Sequence, residues 1–258
     1  MAVVHVSTFT DFLTAIAVSG DIVILDNDLD ANANEITATV TVNCAEIDGG
    51  GHTIYNIQCG RDIGVFRFNA VCNLHNCNFL NVLQTAGVGF LQNTNNSNLI
   101  TVSNCIFQGI FTIVSQGNFY LLRCGFILQR TAYFAFTYYY SGVTPTLELC
   151  YFKCDNINAN GVYRGCRANS CYFEGTLNNP NNNALIFDGT GDNSVYNIYV
   201  KSANPVSVYY GSMQATPCIY NADRIDSTVT VIRPFIPLTD AQMHSAAEIA
   251  ATGFSIIV

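Results

Sequence analysis

One hydrophobic pattern returns five times along the chain: a small residue of the kind that packs inside, followed two positions later by Phe. It reads Asn76-Cys77-Asn78-Phe79, Asn104-Cys105-Ile106-Phe107, Arg123-Cys124-Gly125-Phe126, Leu149-Cys150-Tyr151-Phe152 and Ser170-Cys171-Tyr172-Phe173. Residues i and i+2 of an extended strand share a face, so each Cys-x-Phe sends one small and one large apolar group into the same interior. The cysteine-to-cysteine steps of 28, 19, 26 and 21 residues exclude a helical repeat of fixed length. They suit short strands joined by turns of variable length, each step being one coil of a solenoid.

The flanking segments predict the remaining elements. Phe9, Phe12, Leu13, Ile16 and Ala17 recur at helical spacing, with Ser7 as a cap and Gly20 as the stop. Ile22-Val23-Ile24-Leu25 reads as a strand, 27–34 as a turn region, and Ile36 to Val42 as a half-buried alternating strand. Ile47-Asp48-Gly49-Gly50-Gly51-His52-Thr53-Ile54 reads as two strand ends around a glycine corner. Val195 to Val200 repeats the coil with Ile198 in the cysteine place, and Thr228 to Ile232 is a further strand. Pro234 and Pro237 then break the β pattern, and Thr239 with Gln242 opens a helix running to Ala251. The predicted division is a capping-helix region over 1–20, a parallel β-helix over 21–235, and a C-terminal helix and tail over 236–258.

The amphipathic helix, the Gly20-Asp21-Ile22-Val23 strand start, the Ile47-to-Ile54 glycine corner and the Asn-Cys-x-Phe coils together resemble the right-handed parallel β-helix proteins of the pectin-lyase-like superfamily. The likeness covers residues 7 to 235. It implies an all-β, single-stranded solenoid with a helical N-terminal cap, and it says less about function, because that architecture carries lyases, hydrolases, adhesins and phage tailspike and virion proteins.

Composition narrows the picture. Half of the 258 residues are hydrophobic and only 11% are charged, so the polar surface is built from Asn, Thr, Ser and Gly. With Lys153 and Lys201 as the only lysines and a net charge of −8, no basic stripe exists to neutralise phosphates, which excludes nucleic-acid binding. No run approaches the ~18 apolar residues of a membrane span, and the first residues lack the basic-then-apolar pattern of a signal peptide. Synthesis in a host cytoplasm without export follows as the expectation. The eleven cysteines are odd in number and five share one repeat position, so they read as reduced core residues and not as a disulfide framework.

Candidate chemistry is sparse. Lys153, Asp155, Arg164, Arg167 and Glu174 fall in two successive coils, where Asp155 and Glu174, assisted by Arg164 and Arg167, could act as an acid and base pair for glycosidic cleavage. The plainer reading is a solvated turn region with exposed ion pairs. Asp188 and Asp192 around Gly189-Thr190-Gly191 could hold a cation or form an ordinary loop, and Asp48 before three glycines reads as a corner residue bonding its own backbone. Cys150, Cys154, Cys166 and Cys171 have the spacing C-x3-C-x11-C-x4-C, but core stacking accounts for two of them without zinc. No cofactor and no metal is expected. His5, His52, His75 and His244 form no recognised motif and read as surface or turn residues. The aromatic run Tyr133, Phe134, Phe136, Tyr138, Tyr139 and Tyr140 offers a subunit interface, a sugar platform or intrachain packing.

The expected function is therefore a non-enzymatic structural protein of a virus particle: a tail spike, head fibre or capsid-decoration subunit. Its partners would be other virion proteins and bacterial surface polysaccharide, and the resemblance implies a homotrimer. The alternative is a polysaccharide depolymerase acting through Asp155 and Glu174, and a third reading is a glycan-binding adhesin using the aromatic run.

Overall fold

In the computed structural model the residues described are 1–32, 36–59, 65–84, 89–93, 95, 97–110, 114–128, 134–137 and 145–157, followed by 161–164, 167–169, 171–177, 185–188, 194–196, 199–202, 207–210, 218–221 and 235–238. The chain winds into an all-β parallel solenoid whose strands stack into three long sheets, with one further pair, Cys218–Asn221 and Phe235–Leu238, forming a two-stranded sheet. The first runs from Val3–Val6 through Ile22–Leu25, Glu46–Asp48, Cys72–His75, Ile100–Ser103, Phe119–Leu122, Thr146–Glu148 and Arg167–Asn169 to Ser194–Tyr196. The second climbs from Leu29–Asp30 through Thr53–Tyr55, Asn78–Gln84, Ile106–Ile110, Gly125–Leu128, Tyr151–Ile157 and Tyr172–Leu177 to Tyr199–Ser202. The third climbs from Val40–Val42 through Phe66–Phe68, Leu91–Asn93, Val114–Gln116, Phe134–Thr137, Gly161–Arg164 and Leu185–Asp188 to Ser207–Tyr210. Every pairing is parallel; the first turn returns through the helix Phe9–Ile16, and from Ile22–Leu25 onward the chain visits the three long sheets in turn before returning one strand higher.

The Cys-x-Phe repeat is the inward face of the first corner and the second sheet. Register places Phe79, Phe107, Phe126, Phe152 and Phe173 in one column. The first four are buried, and their rings stack nearly parallel, with centroids 5.0, 5.2 and 4.7 Å apart along the column. Those separations match the 4.7–4.9 Å strand spacing, so the backbone ladder itself sets the ring stack. Each aromatic pair adds about 0.5–1.5 kcal/mol beyond area burial. Cys77, Cys105, Cys124, Cys150 and Cys171 form the neighbouring column, all buried and all free thiols.

The residue before each of these cysteines has a structural reason. Asn76, Asn104, Arg123 and Leu149 all sit at φ between 52 and 53°, in the left-handed region. The corner from first sheet to second is made there, and Asn tolerates it better than Arg or Leu. Gly49 serves the coil below, where a Cβ would stand 2.3 Å from the Asn76 carbonyl oxygen.

A single helix is present among the described residues, Phe9–Ile16, with Phe9, Phe12, Ala15 and Ile16 buried against the first coils. Its cap is Thr8, not Ser7: Thr8 Oγ1 accepts from the Asp11 amide at 3.1 Å while Ser7 remains outside. Ahead of it, Val3–Val6 already pairs with Ile22–Leu25, so region 1–20 contributes a sheet strand as well as the cap. That strand is too short for periodicity to reveal. The predicted strand over 36–42 shortens to Val40–Val42, because Ile36 bridges Cys59 in the stack of the second sheet whereas Val40 pairs with Phe66 in the third. The chain turns a corner between them. Leu29–Asp30, inside the predicted turn, pairs with Ile54 and Tyr55. Pro237 does not end the β structure, since Phe235–Leu238 pairs with Cys218–Asn221. A proline is accommodated in a strand paired on one side. The predicted strand at 228–232 and helix at 239–251 lie outside the described residues.

Candidate functional site

The outward side chains of the first sheet carry the most connected polar cluster. Glu46 and Asp48 stand one coil below Asn73 and His75 in register. His75 Nε2 lies 3.0 Å from Glu46 Oε1, and its Nδ1 lies 2.9 Å from Asn76 Nδ2 and 3.4 Å from Asp48 Oδ1. Asp48 Oδ1 also accepts from the Gly50 amide at 2.9 Å and from Asn76 Nδ2 at 3.2 Å. The expected role of Asp48 as a corner residue bonding its own backbone is thus observed, and it reaches the next coil besides.

The same kind of tie recurs along the described coils. His5 Nδ1 lies 2.7 Å from Asp26 Oδ1 and His52 Nδ1 lies 3.4 Å from Asp28 Oδ1. Asp30 accepts from Asn56, which in turn accepts from Asn81, giving a ladder across three coils. Tyr120 Oη donates to Glu148 Oε2 at 2.5 Å, and burial followed by this bond pushes the tyrosine up to about 12. Asp21 accepts from the Ala2 amide, and Asp11 from the Thr8 hydroxyl and, across the helix start, pairs with its cap. Every carboxylate whose side chain is described therefore has a partner, and most partners lie one coil away. The histidine ties span 21, 24 and 29 residues, close to the coil length. Sequence reading missed them because the partners lie a variable coil length apart and carry no local motif.

Register places the predicted chemical residues as follows. Glu174 stands in one column between Lys153 and Lys201 on the second sheet. Asp155 is opposite Thr176, on the strand next to Glu174 and offset by two residues. The two-residue strand period puts Lys153, Asp155 and Glu174 at positions of one face, Asp155 and Glu174 being diagonal neighbours about 7–8 Å apart at the backbone. Arg164 lies on the third sheet opposite Asp188, and Arg167 on the first sheet between Thr146 and Ser194. Asp155 and Glu174 thus share a sheet, and neither arginine does. Asp192 lies outside the described residues.

Phe136 continues the register column of Val40, Phe66, Leu91 and Val114, in which Phe66 and Leu91 are buried. Phe134 is two residues away on the same strand and so shares its face. Tyr133, Tyr138, Tyr139 and Tyr140 lie outside the described residues. Of the zinc-spaced cysteines, Cys150 and Cys171 are buried free thiols in the core column, Cys154 lies on the strand Tyr151–Ile157, and Cys166 is outside the described residues. Among the described residues no group of three or more His, Cys, Asp or Glu is placed to hold a metal ion. Burial drives the Cys77 and Cys124 thiols well above their ordinary value, the direction expected of packing groups and opposite to that of reactive ones. No helix among the described residues is long and apolar enough to cross a membrane.

No protein-family model, no curated protein and no solved structure matches the chain.

Proposed function

We propose that this chain is a non-enzymatic structural rod of a virus particle, a tail-spike, head-fibre or capsid-decoration subunit that can contact surface glycans of a host bacterium. The observation that carries this reading is the engagement of acidic side chains between coils. Asp26, Asp28, Asp30, Glu46, Asp48 and Glu148 each bond a residue of a neighbouring coil, which uses carboxylates to stiffen a stack. The continuous Phe and Cys columns act in the same direction from inside. Assignment to a virion draws on the stiff stack, the neutral Asn-rich surface and the sparse carboxylates taken together, and assignment to a trimer on the resemblance to the pectin-lyase-like superfamily, which includes phage spikes. Mass spectrometry of purified particles, with antibody labelling of the intact particle, tests it. Absence from particles, with a strict monomer by light scattering at high concentration, would overturn it.

A second reading, a polysaccharide depolymerase, draws on one observation: Asp155 and Glu174 share a face as diagonal neighbours. A backbone separation of about 7–8 Å is compatible with the ~6.5–9.5 Å between carboxyl groups of inverting glycosidases. Release of reducing sugar from capsule or lipopolysaccharide, abolished in Asp155→Asn and Glu174→Gln, would establish it in place of the structural role. Binding to a glycan array without release would favour an adhesin.

A further inference from the structure

We propose that the strand Val3–Val6 is a docking edge, at which a partner protein adds an extended segment bearing lysine or arginine as one further strand of the first sheet. This goes beyond the structural reading, which says nothing of what the end of the rod holds. Among the described residues Val3–Val6 is the last strand of its sheet and pairs on one side only, with Ile22–Leu25. The Ile22 amide donates to the Ala2 carbonyl oxygen at 2.8 Å, and the Asp26 amide to that of Val6 at 3.0 Å. Backbone groups alternate sides along a strand, so Ala2, Val4 and Val6 face the paired strand while Val3 and His5 turn their N–H and C=O away from it. A row of outward donors and acceptors is a template for another strand. Proline, lysine, a bulge or an inward charge would blunt it, and Val3–Val6 carries none of them. The lower edges of the other two long sheets are shorter, at two and three residues.

The interior of the sheet ends at the same place. Register runs one inward column through Val4, Val23, Ile47, Leu74, Val102 and Leu121. Every member is buried except Val4, which packs against the core yet is only half-buried. Val23 covers it from above, and no described strand covers it from below. An apolar side chain of an added strand, facing inward opposite Val4, would complete the column, and that burial is what the outward backbone groups alone do not supply.

Charge selects the occupant. Residues 1–62 hold nine acids and one arginine, a net charge of −8, and the rest of the chain balances to zero. Three of these acids flank the edge. Asp21 accepts from the Ala2 amide at 2.8 Å, Asp26 lies 2.7 Å from His5 Nδ1, and the exposed Asp11 stands in the first turn of the helix that follows. Pairing of two copies through this strand would bring two such ends together against their mutual repulsion. A strand with basic residues outward and apolar residues inward meets both the negative field and the unfinished column.

Fluorescence anisotropy of a labelled, end-blocked peptide Lys-Val-Lys-Val-Lys-Val-Lys with the full chain tests this. Binding should saturate, and the counterpart with Glu in place of Lys should bind about tenfold more weakly or worse. Backbone N-methylation separates strand addition from attraction of charge. Methyl groups on one alternate set of residues should lower affinity about tenfold or more, and on the other set should change it little, because only one set faces the edge. In the protein, Val3→Pro removes an outward N–H and leaves the ladder to Ile22–Leu25 in place. It should weaken the peptide about tenfold with thermal unfolding unchanged. Should Val3→Pro disturb the strand, hydrogen exchange of the unaltered chain decides: bound peptide should slow exchange over residues 3–6 and leave 100–122 as they were. No binding, equal loss with the two methylated sets, loss with neither, protection elsewhere than 3–6, or a dimer of the chain alone that Val3→Pro dissolves overturns the proposal.

Discussion

Phe126 and Phe152 lie one coil apart with ring centroids 4.7 Å apart and planes 15° from parallel. Phe107 continues the stack below at 5.2 Å, and all three rings are buried. Near-parallel rings at strand spacing are favourable pair by pair, so each ring inside the column supports the one above it and the one below.

Phe126→Ala should therefore lower stability by about 3–5 kcal/mol, the range for removing a buried ring and leaving a cavity. Phe126→Leu should cost less, since part of the volume is kept. Urea unfolding with a constant slope checks both, and a loss below about 1 kcal/mol for the alanine variant would show that the ring is not in a close-packed column.

The ring column, the thiol column and the parallel register were readable from the five Cys-x-Phe repeats, because a period of two on a buried face is a strong constraint. Corners were less readable. Nothing local marks Arg123 and Leu149 as left-handed, although the aligned Asn76 and Asn104 hint at it, and the strand Val3–Val6 has no repeat unit of its own. The ties His75–Glu46 and Tyr120–Glu148 join residues 29 and 28 positions apart, so they became visible only once register was known. Thr8 displaced Ser7 as helix cap by one residue, the usual scale of ambiguity when two hydroxyl residues are adjacent.

The thiol column makes a chemical prediction. Cys77, Cys105, Cys124, Cys150 and Cys171 should resist a small alkylating reagent in the native protein and react after denaturation, as sealed thiols do. Cys124 Sγ lies 3.5 Å from the Val102 carbonyl oxygen and 3.4 Å from that of Leu122. A serine hydroxyl placed there has acceptors, so Cys124→Ser should cost about 1 kcal/mol, at the low end for a buried polar group. Rapid native labelling of the five, or a loss near 3 kcal/mol for the serine, contradicts this arrangement.

Arg123 offers a stabilising substitution. It is exposed, yet its φ of 52° puts it in the left-handed region where Asn76 and Asn104 occupy the equivalent corners. Arg123→Asn gives up no buried surface and relieves part of the ~1–2 kcal/mol that a non-glycine residue spends there. A gain of about 0.5–1 kcal/mol in unfolding free energy is expected, and a clear loss would mean that the arginine side chain holds the corner.

Tyr120 gives the alkaline limb of stability a specific residue. Burial first, and then the 2.5 Å hydrogen bond to Glu148, raise it to about 12 in the folded chain. An unfolded tyrosine loses its proton near pH ~10. Because the folded value is the higher one, the folded state holds the proton more tightly. Its contribution is complete below about pH 10 and is lost as pH rises toward about 12. Tyr120→Phe removes the proton and the bond together, so its stability should fall less steeply than that of the parent across this window. Glu148→Gln keeps a hydrogen-bond acceptor but removes the charge that opposes tyrosinate, so the folded value should fall toward that of an unfolded tyrosine and the alkaline loss should become smaller and end at a lower pH. Urea midpoints measured at steps of pH decide the matter: parallel curves for the parent and Tyr120→Phe above pH ~10 would show that Tyr120 does not hold its proton through Glu148.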